Sequence, residues 1–125
     1  MKIHHIAIIC SDYQVSKKFY TEILGLQILR EVYRSESDSY KLDLGIGDQY
    51  VIELFSFPNP PARPSRPESC GLRHLAFSVE NIEEKRNEFT RKGLICEDIR
   101  IDEFTDRKYF FTQDPDDLPL EFYEA

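Results

Sequence analysis

Two histidines and two glutamates stand in matching surroundings along the chain: His5 and Glu53 in its first half, His74 and Glu121 in its second. His5 opens His5-Ile6-Ala7-Ile8, and His74 opens His74-Leu75-Ala76-Phe77. Glu53 lies in Ile52-Glu53-Leu54-Phe55, and Glu121 in Leu120-Glu121-Phe122-Tyr123. An ionised carboxylate among apolar neighbours is costly unless a partner offsets its charge, and a divalent cation is the natural one. Imidazole suits Zn, Ni, Co and Fe, while carboxylate suits harder ions. Two nitrogens and two carboxylates leave positions for water, as an open catalytic site does and a closed structural one does not. Taken singly, each residue has a blander reading. A histidine in an apolar strand is usually a satisfied core or edge residue, and a glutamate in a strand usually sits on the wet face. The recurrence of all four at equivalent places favours a shared site. If the two halves pair about a pseudo-twofold axis, the four side chains converge on one point.

The elements that must position them repeat as well. His5 to Asp12 and His74 to Asn81 each run from a histidine through apolar residues to a polar residue suited to cap a helix. Helical spacing follows in both: Val15, Phe19 and Ile23 before Gly25, then Ile82, Arg86 and Phe89 before Gly93. Each glycine falls where a helix ends on a left-handed residue. The pattern predicts two modules of roughly 65 residues, each a strand, a helix and three strands. The strands are expected at 3–10, 26–34, 39–46 and 49–56, then at 71–79, 94–101, 107–113 and 119–124. Side chains alternate across a strand. His5 therefore shares a face with Ala7 and Ile9, and Glu53 with Val51 and Phe55, opposite Tyr50. His74 shares a face with Ala76, and Glu121 with Tyr123. His4 falls on the face opposite His5, and Asp43 and Asp114 have no counterpart in the other half.

The modules, 1–56 and 71–125, are joined by 57–70, a stretch broken by Pro58, Pro60, Pro61, Pro64 and Pro67. Proline at this density forbids a helix or a central strand. The stretch reads either as a semi-rigid linker or as a flap that carries Arg63 and Arg66 over a site.

Composition bounds the partners. Hydrophobic residues make up 41% and charged residues 31%, which supports a globular fold rather than disorder. Sixteen Lys and Arg against twenty-three Asp and Glu give a net charge of −7. A chain this acidic lacks the field needed for nonspecific binding to nucleic acid or anionic membranes. The longest aliphatic run, Ile6 to Cys10, is far too short to span a bilayer, and the first residues have no signal-peptide form. A cytoplasmic location is expected. Cys10, Cys70 and Cys96 are odd in number and widely spaced, so neither a disulfide framework nor a thiolate zinc knuckle is expected.

The chain resembles the vicinal-oxygen-chelate superfamily, which contains glyoxalase I, bleomycin-resistance proteins, fosfomycin-resistance enzymes, extradiol dioxygenases and methylmalonyl-CoA epimerase. The resemblance covers essentially the whole chain. It rests on the duplicated module, on His5-Ile6-Ala7-Ile8, and on Phe19-Tyr20 with Leu24-Gly25-Leu26. It rests further on Gly71 to Phe77, and on Asp114-Pro115-Asp116 with Leu120-Glu121-Phe122. Within the superfamily the chain is similar to small bacterial glyoxalase-like proteins. The resemblance implies an α+β fold in which two βαβββ modules form a curved mixed sheet around a metal site. The order His, Glu, His, Glu is that of bacterial glyoxalase I. Carried over by position, the metal ligands are His5, Glu53, His74 and Glu121, and the implied cofactor is one divalent ion, Ni(II) or Co(II), with Zn(II) as a third candidate. The implied activity is that of a lyase isomerising the thiol hemithioacetal of a small ketoaldehyde through a metal-bound enediolate, with Glu121 as the catalytic base. The rival readings are an epimerase or isomerase acting on a small acid or acyl-CoA, and a non-catalytic binding protein of the resistance type. Retention of both glutamates speaks against the last. The implied partners are a small-molecule substrate and a second copy of the chain in a homodimer. Arg34, Arg63, Arg66, Arg73 and Lys108 are candidates to grip a substrate carboxylate, although each one singly reads as a solvated charge. Asp117 stands where many relatives have glycine, and aspartate tolerates the left-handed turn required there.

Overall fold

Asp12 and Asn81 convert strand to helix in the same way. Each has an extended backbone, and its side-chain oxygen accepts a hydrogen bond from the amide three residues on, Val15 or Glu84. The computed structural model describes residues 1–125, which divide into two compact units, Met1–Ala62 and Arg63–Ala125. The first unit holds β1 (Ile6–Cys10), α1 (Tyr13–Lys18), β2 (Gln27–Arg34), β3 (Ser39–Ile46) and β4 (Gln49–Ser56). Helix α1 runs on into a π-helical turn over Phe19–Ile23. The second unit holds β5 (Leu75–Val79), α2 (Ile82–Arg91), β6 (Arg100–Ile101), β7 (Lys108–Gln113) and β8 (Pro119–Glu124). The fold is mixed α+β with two four-stranded sheets, ordered β1-β4-β3-β2 and β5-β8-β7-β6. In each, the first and last strands of the unit pair in parallel and the remaining pairs are antiparallel. No helix is long and apolar enough to cross a membrane.

One face of each sheet makes the core. In the first unit Leu42, Leu44, Ile52 and Leu54 are almost fully buried, with Tyr20 of the π-helical turn. The buried stripe of the first helix starts at Tyr13 and Ser16 and continues through Phe19 and Tyr20, while Val15 faces solvent. In the second unit Phe110, Leu120 and Phe122 are buried with Ile82 and Phe89 of α2. Gly25 and Gly93 take the left-handed conformation at the helix ends, with φ of 80° and 88°. The amide of Leu94 closes the second helix onto the Phe89 carbonyl at 3.0 Å.

Three strands are clearly shorter than their sequence pattern. β1 and β5 begin at Ile6 and Leu75 rather than at 3 and 71. β6 is two residues rather than a strand over 94–101, because side chains take the carbonyls a ladder would use. Arg86 donates to the carbonyls of Cys96 and Glu97, and Thr112 to that of Ile95. Asp117 has a φ of 65°, the left-handed turn expected of it.

Helix α1 is tied to β2 by charge. Tyr13 Oη and Lys17 Nζ both donate to the Glu31 carboxylate, the lysine at 2.7 Å. The Lys17 hydrogen bond, and then that of Tyr13, hold the Glu31 carboxyl below its ordinary range, while burial and Glu31 push the Tyr13 phenol up. A depressed carboxyl stabilises the fold above its unfolded value, about 4.3, and that contribution disappears as pH falls through the lower folded value. Glu31→Gln should therefore lower the melting temperature at pH 7 and lose its difference from the unaltered protein near pH 3. Thermal melts across that range check it; a gap that persists in acid would refute the assignment.

Candidate metal centre

The parallel pairing of β1 with β4 sets Ala7 beside Glu53, and that of β5 with β8 sets Ala76 beside Glu121. Alanine leaves the space above each carboxylate open, and the histidine two residues earlier reaches into it. His5 Nε2 lies 3.9 Å from Glu53 Oε1, and His74 Nε2 lies 3.1 Å from Glu121 Oε2. Side-chain exposure is 36% and 16% in the first pair and 37% and 15% in the second, so the duplication extends to solvent access. The structure thus pairs His5 with Glu53 in the first unit and His74 with Glu121 in the second. Within either unit no third His, Cys, Asp or Glu is placed to complete a ligand set.

The pairs differ in what restrains the carboxylate. In the first unit Lys41 Nζ lies 3.1 Å from Glu53 Oε2 and 2.5 Å from Asp43 Oδ1. Tyr50 Oη is within hydrogen-bond distance of the same two oxygens, 3.1 and 2.8 Å away. Burial works to raise the Asp43 carboxyl, but hydrogen bonds from Lys41 and Tyr50 outweigh it and hold it low. Burial likewise works to lower the Lys41 ammonium, and its two carboxylate partners hold it high. Burial and then Asp43 push the Tyr50 phenol up, keeping it a hydrogen-bond donor. Glu53 is held by Lys41, with the single Tyr50 hydroxyl proton shared between it and Asp43. In the second unit the position opposite the glutamate belongs to Phe111, where the first unit has Asp43. Phe111 meets His74 edge-on at 5.3 Å, and Glu121 has His74 as its one hydrogen-bonded or ion-paired side chain.

Strand parity misplaces Tyr50. The ladder between β3 and β4 slips between Leu44 and Gly45, so that Gly45 pairs with Tyr50 and Val51 is the extra residue of a bulge. The bulge swings Tyr50 onto the face of Glu53, where its ring lies 4.8 Å from that of His5. A Cβ on Gly45 would stand 2.9 Å from the Gln49 carbonyl oxygen, so the bulge requires glycine there. His4 is misplaced for another reason. It lies two residues outside β1, beyond the alternation that still orients His5 at the strand's edge, and its Nδ1 meets His5 Nδ1 at 2.8 Å. That contact occupies one nitrogen of His5 and leaves Nε2 for Glu53. The signal available for Lys41 and Asp43 was their spacing of two on one strand face. For Tyr50 it was its place just after Gly45 and Gly47.

The cationic candidates separate. Arg63 is spent on structure: its Nη2 donates to the carbonyls of Leu72 and Arg73 at 2.7 and 3.0 Å, fixing the approach to His74. Lys108 pairs with Glu83 on α2. Arg34 lies over the rings of Phe55 and Phe57, 4.8 and 5.6 Å from their centroids, and donates to Ser39. Arg66 and Arg73 line a cavity of about 810 Å³ that also includes His74. Arg73 reaches it because β5 starts only at Leu75.

The donor chemistry fits a divalent ion of the borderline class. In both units an imidazole nitrogen faces a carboxylate oxygen, and both glutamates are largely shielded from water.

A family model described as the glyoxalase/bleomycin resistance protein/dioxygenase superfamily matches residues 2–122. The chain is 57% identical over 123 residues to the uncharacterized protein YaeR of Escherichia coli, covering 98% of this chain and 95% of that protein. It is equally 57% identical to the uncharacterized protein YwkD of Bacillus subtilis, over 98% and 95% of the two. The crystal structure of a glyoxalase family protein from Enterococcus faecalis superposes with a TM-score of 0.91 at 50% identity, covering 98% of this chain and 97% of that one. With its two βαβββ units and a family match over nearly its full length, the chain belongs to the glyoxalase/bleomycin resistance protein/dioxygenase superfamily.

Proposed function

We propose that the chain is a metal-dependent lyase of the glyoxalase I type, with His5, Glu53, His74 and Glu121 as the ligands of one divalent ion. Nickel or cobalt is favoured over zinc. The observation that carries this reading is the duplicated His–Glu pair combined with unequal restraint of the two carboxylates. An isomerase that moves a proton between adjacent carbons needs one acidic side chain that stays put and one that can swing. Glu53, held by Lys41 and Tyr50, is the fixed one. Glu121, with His74 as its partner and apolar Phe111 opposite, is free to take a proton from one carbon of the substrate and return it to the next. When bound, the ion supplies positive charge to the substrate oxygens. No nucleophile and no redox group is needed, because the product is an isomer of the thiol adduct. In this reading the protein is a cytoplasmic homodimer, as superfamily members often are dimers.

The test is direct. The protein is loaded with nickel or cobalt, its metal content is measured, and methylglyoxal is added with glutathione and several other thiols. Thioester formation with at least one thiol is the expected result. Full metal occupancy with no turnover for any thiol would sink the lyase reading. Solvent deuterium entering a small acid or acyl-CoA without thioester formation would move the site to the epimerase class.

A further inference from the structure

Three guanidiniums, Arg66, Arg73 and Arg100, line the cavity beside His74, and each has a carboxylate within reach only at its solvent-exposed edge. Arg66 and Arg73 share one carboxylate, Glu68, at 3.3 and 3.7 Å. Arg100 is paired with Glu97 at 3.2 Å, both residues being more than half exposed, a pair that solvent screens and a ligand can displace. Asp114, also on the wall, accepts from the amides of Asp116 and Leu118, which hold its carboxylate in place. Leu94, Ile95, Phe111 and Pro119 make the apolar part of the wall, beside polar Thr112 and Gln113. Arg100 is the best placed of the three guanidiniums. Its Cζ lies over the rings of Tyr109 and Phe111, 5.1 and 5.7 Å from their centroids, and Phe111 in turn meets His74 at 5.3 Å. One aromatic ring therefore separates a guanidinium fork from the candidate reacting centre. The two rings restrain the guanidinium, and its screened pair with Glu97 can yield to a planar oxyanion.

We propose that this cavity binds the acidic end of the substrate: a single carboxylate on a small apolar or thioether body, with Arg100 as the principal grip and Arg73 as the second. The apolar body lies on Phe111, and the carboxylate reaches over that ring to the guanidinium. A singly charged group suits guanidiniums already balanced by Glu68, Glu97 and Asp114 better than a phosphate dianion does. The assignment deepens the lyase reading, on which it rests for the role of His74.

The test needs neither metal nor turnover, so its failure and that of the lyase reading are separable. Full-length protein treated with EDTA is titrated with phenylacetate, with the neutral isostere phenylacetamide and with phenyl phosphate, following backbone amide shifts. Phenylacetate should produce saturable shifts confined to residues 93–97, 100 and 111–114, with an affinity about tenfold above that of phenylacetamide. Arg100→Gln should erase that difference, whereas Lys108→Gln, outside the cavity, should keep it. Equal affinities for acid and amide, saturable shifts elsewhere, or no saturable shift would overturn the proposal. Tighter binding of phenyl phosphate than of phenylacetate would overturn the choice of a carboxylate.

Discussion

Glu121→Gln is expected to lower kcat at saturating nickel by about 10²–10⁴-fold, the range a positioned general base supplies. Glutamine keeps the size of the side chain and an oxygen that can still face His74, but its amide has no basicity near neutral pH. Glu53→Gln should behave differently. Its carboxylate is anchored by Lys41 at 3.1 Å and Tyr50 at 3.1 Å, so its role is to hold, and its loss should appear first as weaker nickel retention. The discriminating measurement is therefore a split: nickel content and kcat for both variants, side by side. The two glutamates are indistinguishable in exposure, 16% and 15%, so any difference in outcome must come from their partners. A dead Glu53→Gln beside a Glu121→Gln that retains turnover within a factor of about ten would exchange the two roles.

The two His–Glu pairs were legible because parity and parallel pairing are strict. His5 and His74 each stand one residue before a strand that pairs Ala7 with Glu53, or Ala76 with Glu121, and the same alternation places all four from sequence. Asp12, Asn81, Gly25 and Gly93 were legible because capping is local chemistry, decided within three or four residues. What was hidden depended on breaks in regularity. Val51 enters as a bulge and reverses the side of Tyr50, and no period-2 reading anticipates an extra residue. The run before β6 has the composition of a strand, yet its carbonyls are claimed by Arg86 and Thr112, residues that reach it only after folding. Arg63 was readable as a substrate grip from its charge. Its commitment to two backbone carbonyls is a tertiary fact. The asymmetry between Asp43 and Phe111 was visible as a missing counterpart, but its meaning, one restrained carboxylate and one free, needed the register.

Phe89→Ala is expected to cost about 3–5 kcal/mol, a large share of the 5–15 kcal/mol that holds a domain of ordinary stability. Phe89 is 1% exposed and is the main apolar anchor of α2 beside Ile82. Its ring lies 4.8 Å from Phe122 and 6.3 Å from Phe110, and those two stack on each other at 5.2 Å. Removing it opens a void between α2 and the sheet that aromatic neighbours, with their rigid rings, cannot collapse to fill. Phe89→Leu refills most of the volume and should cost under about 1.5 kcal/mol beyond the lost methylenes and ring contacts. Chemical denaturation of both variants measures the difference; a Phe89→Ala loss below about 1 kcal/mol would mean that the aromatic cluster is not what seats the helix. The consequence extends to the site, because Phe122 is the neighbour of Glu121 on β8 and pairs across the ladder with Phe110 and with Phe77. Its core-facing ring fixes the strand that presents Glu121 on the opposite face. A Phe89→Ala protein that remains folded at low temperature should therefore lose turnover more steeply on warming than it loses helix, since the carboxylate's position depends on a strand whose backing has been removed.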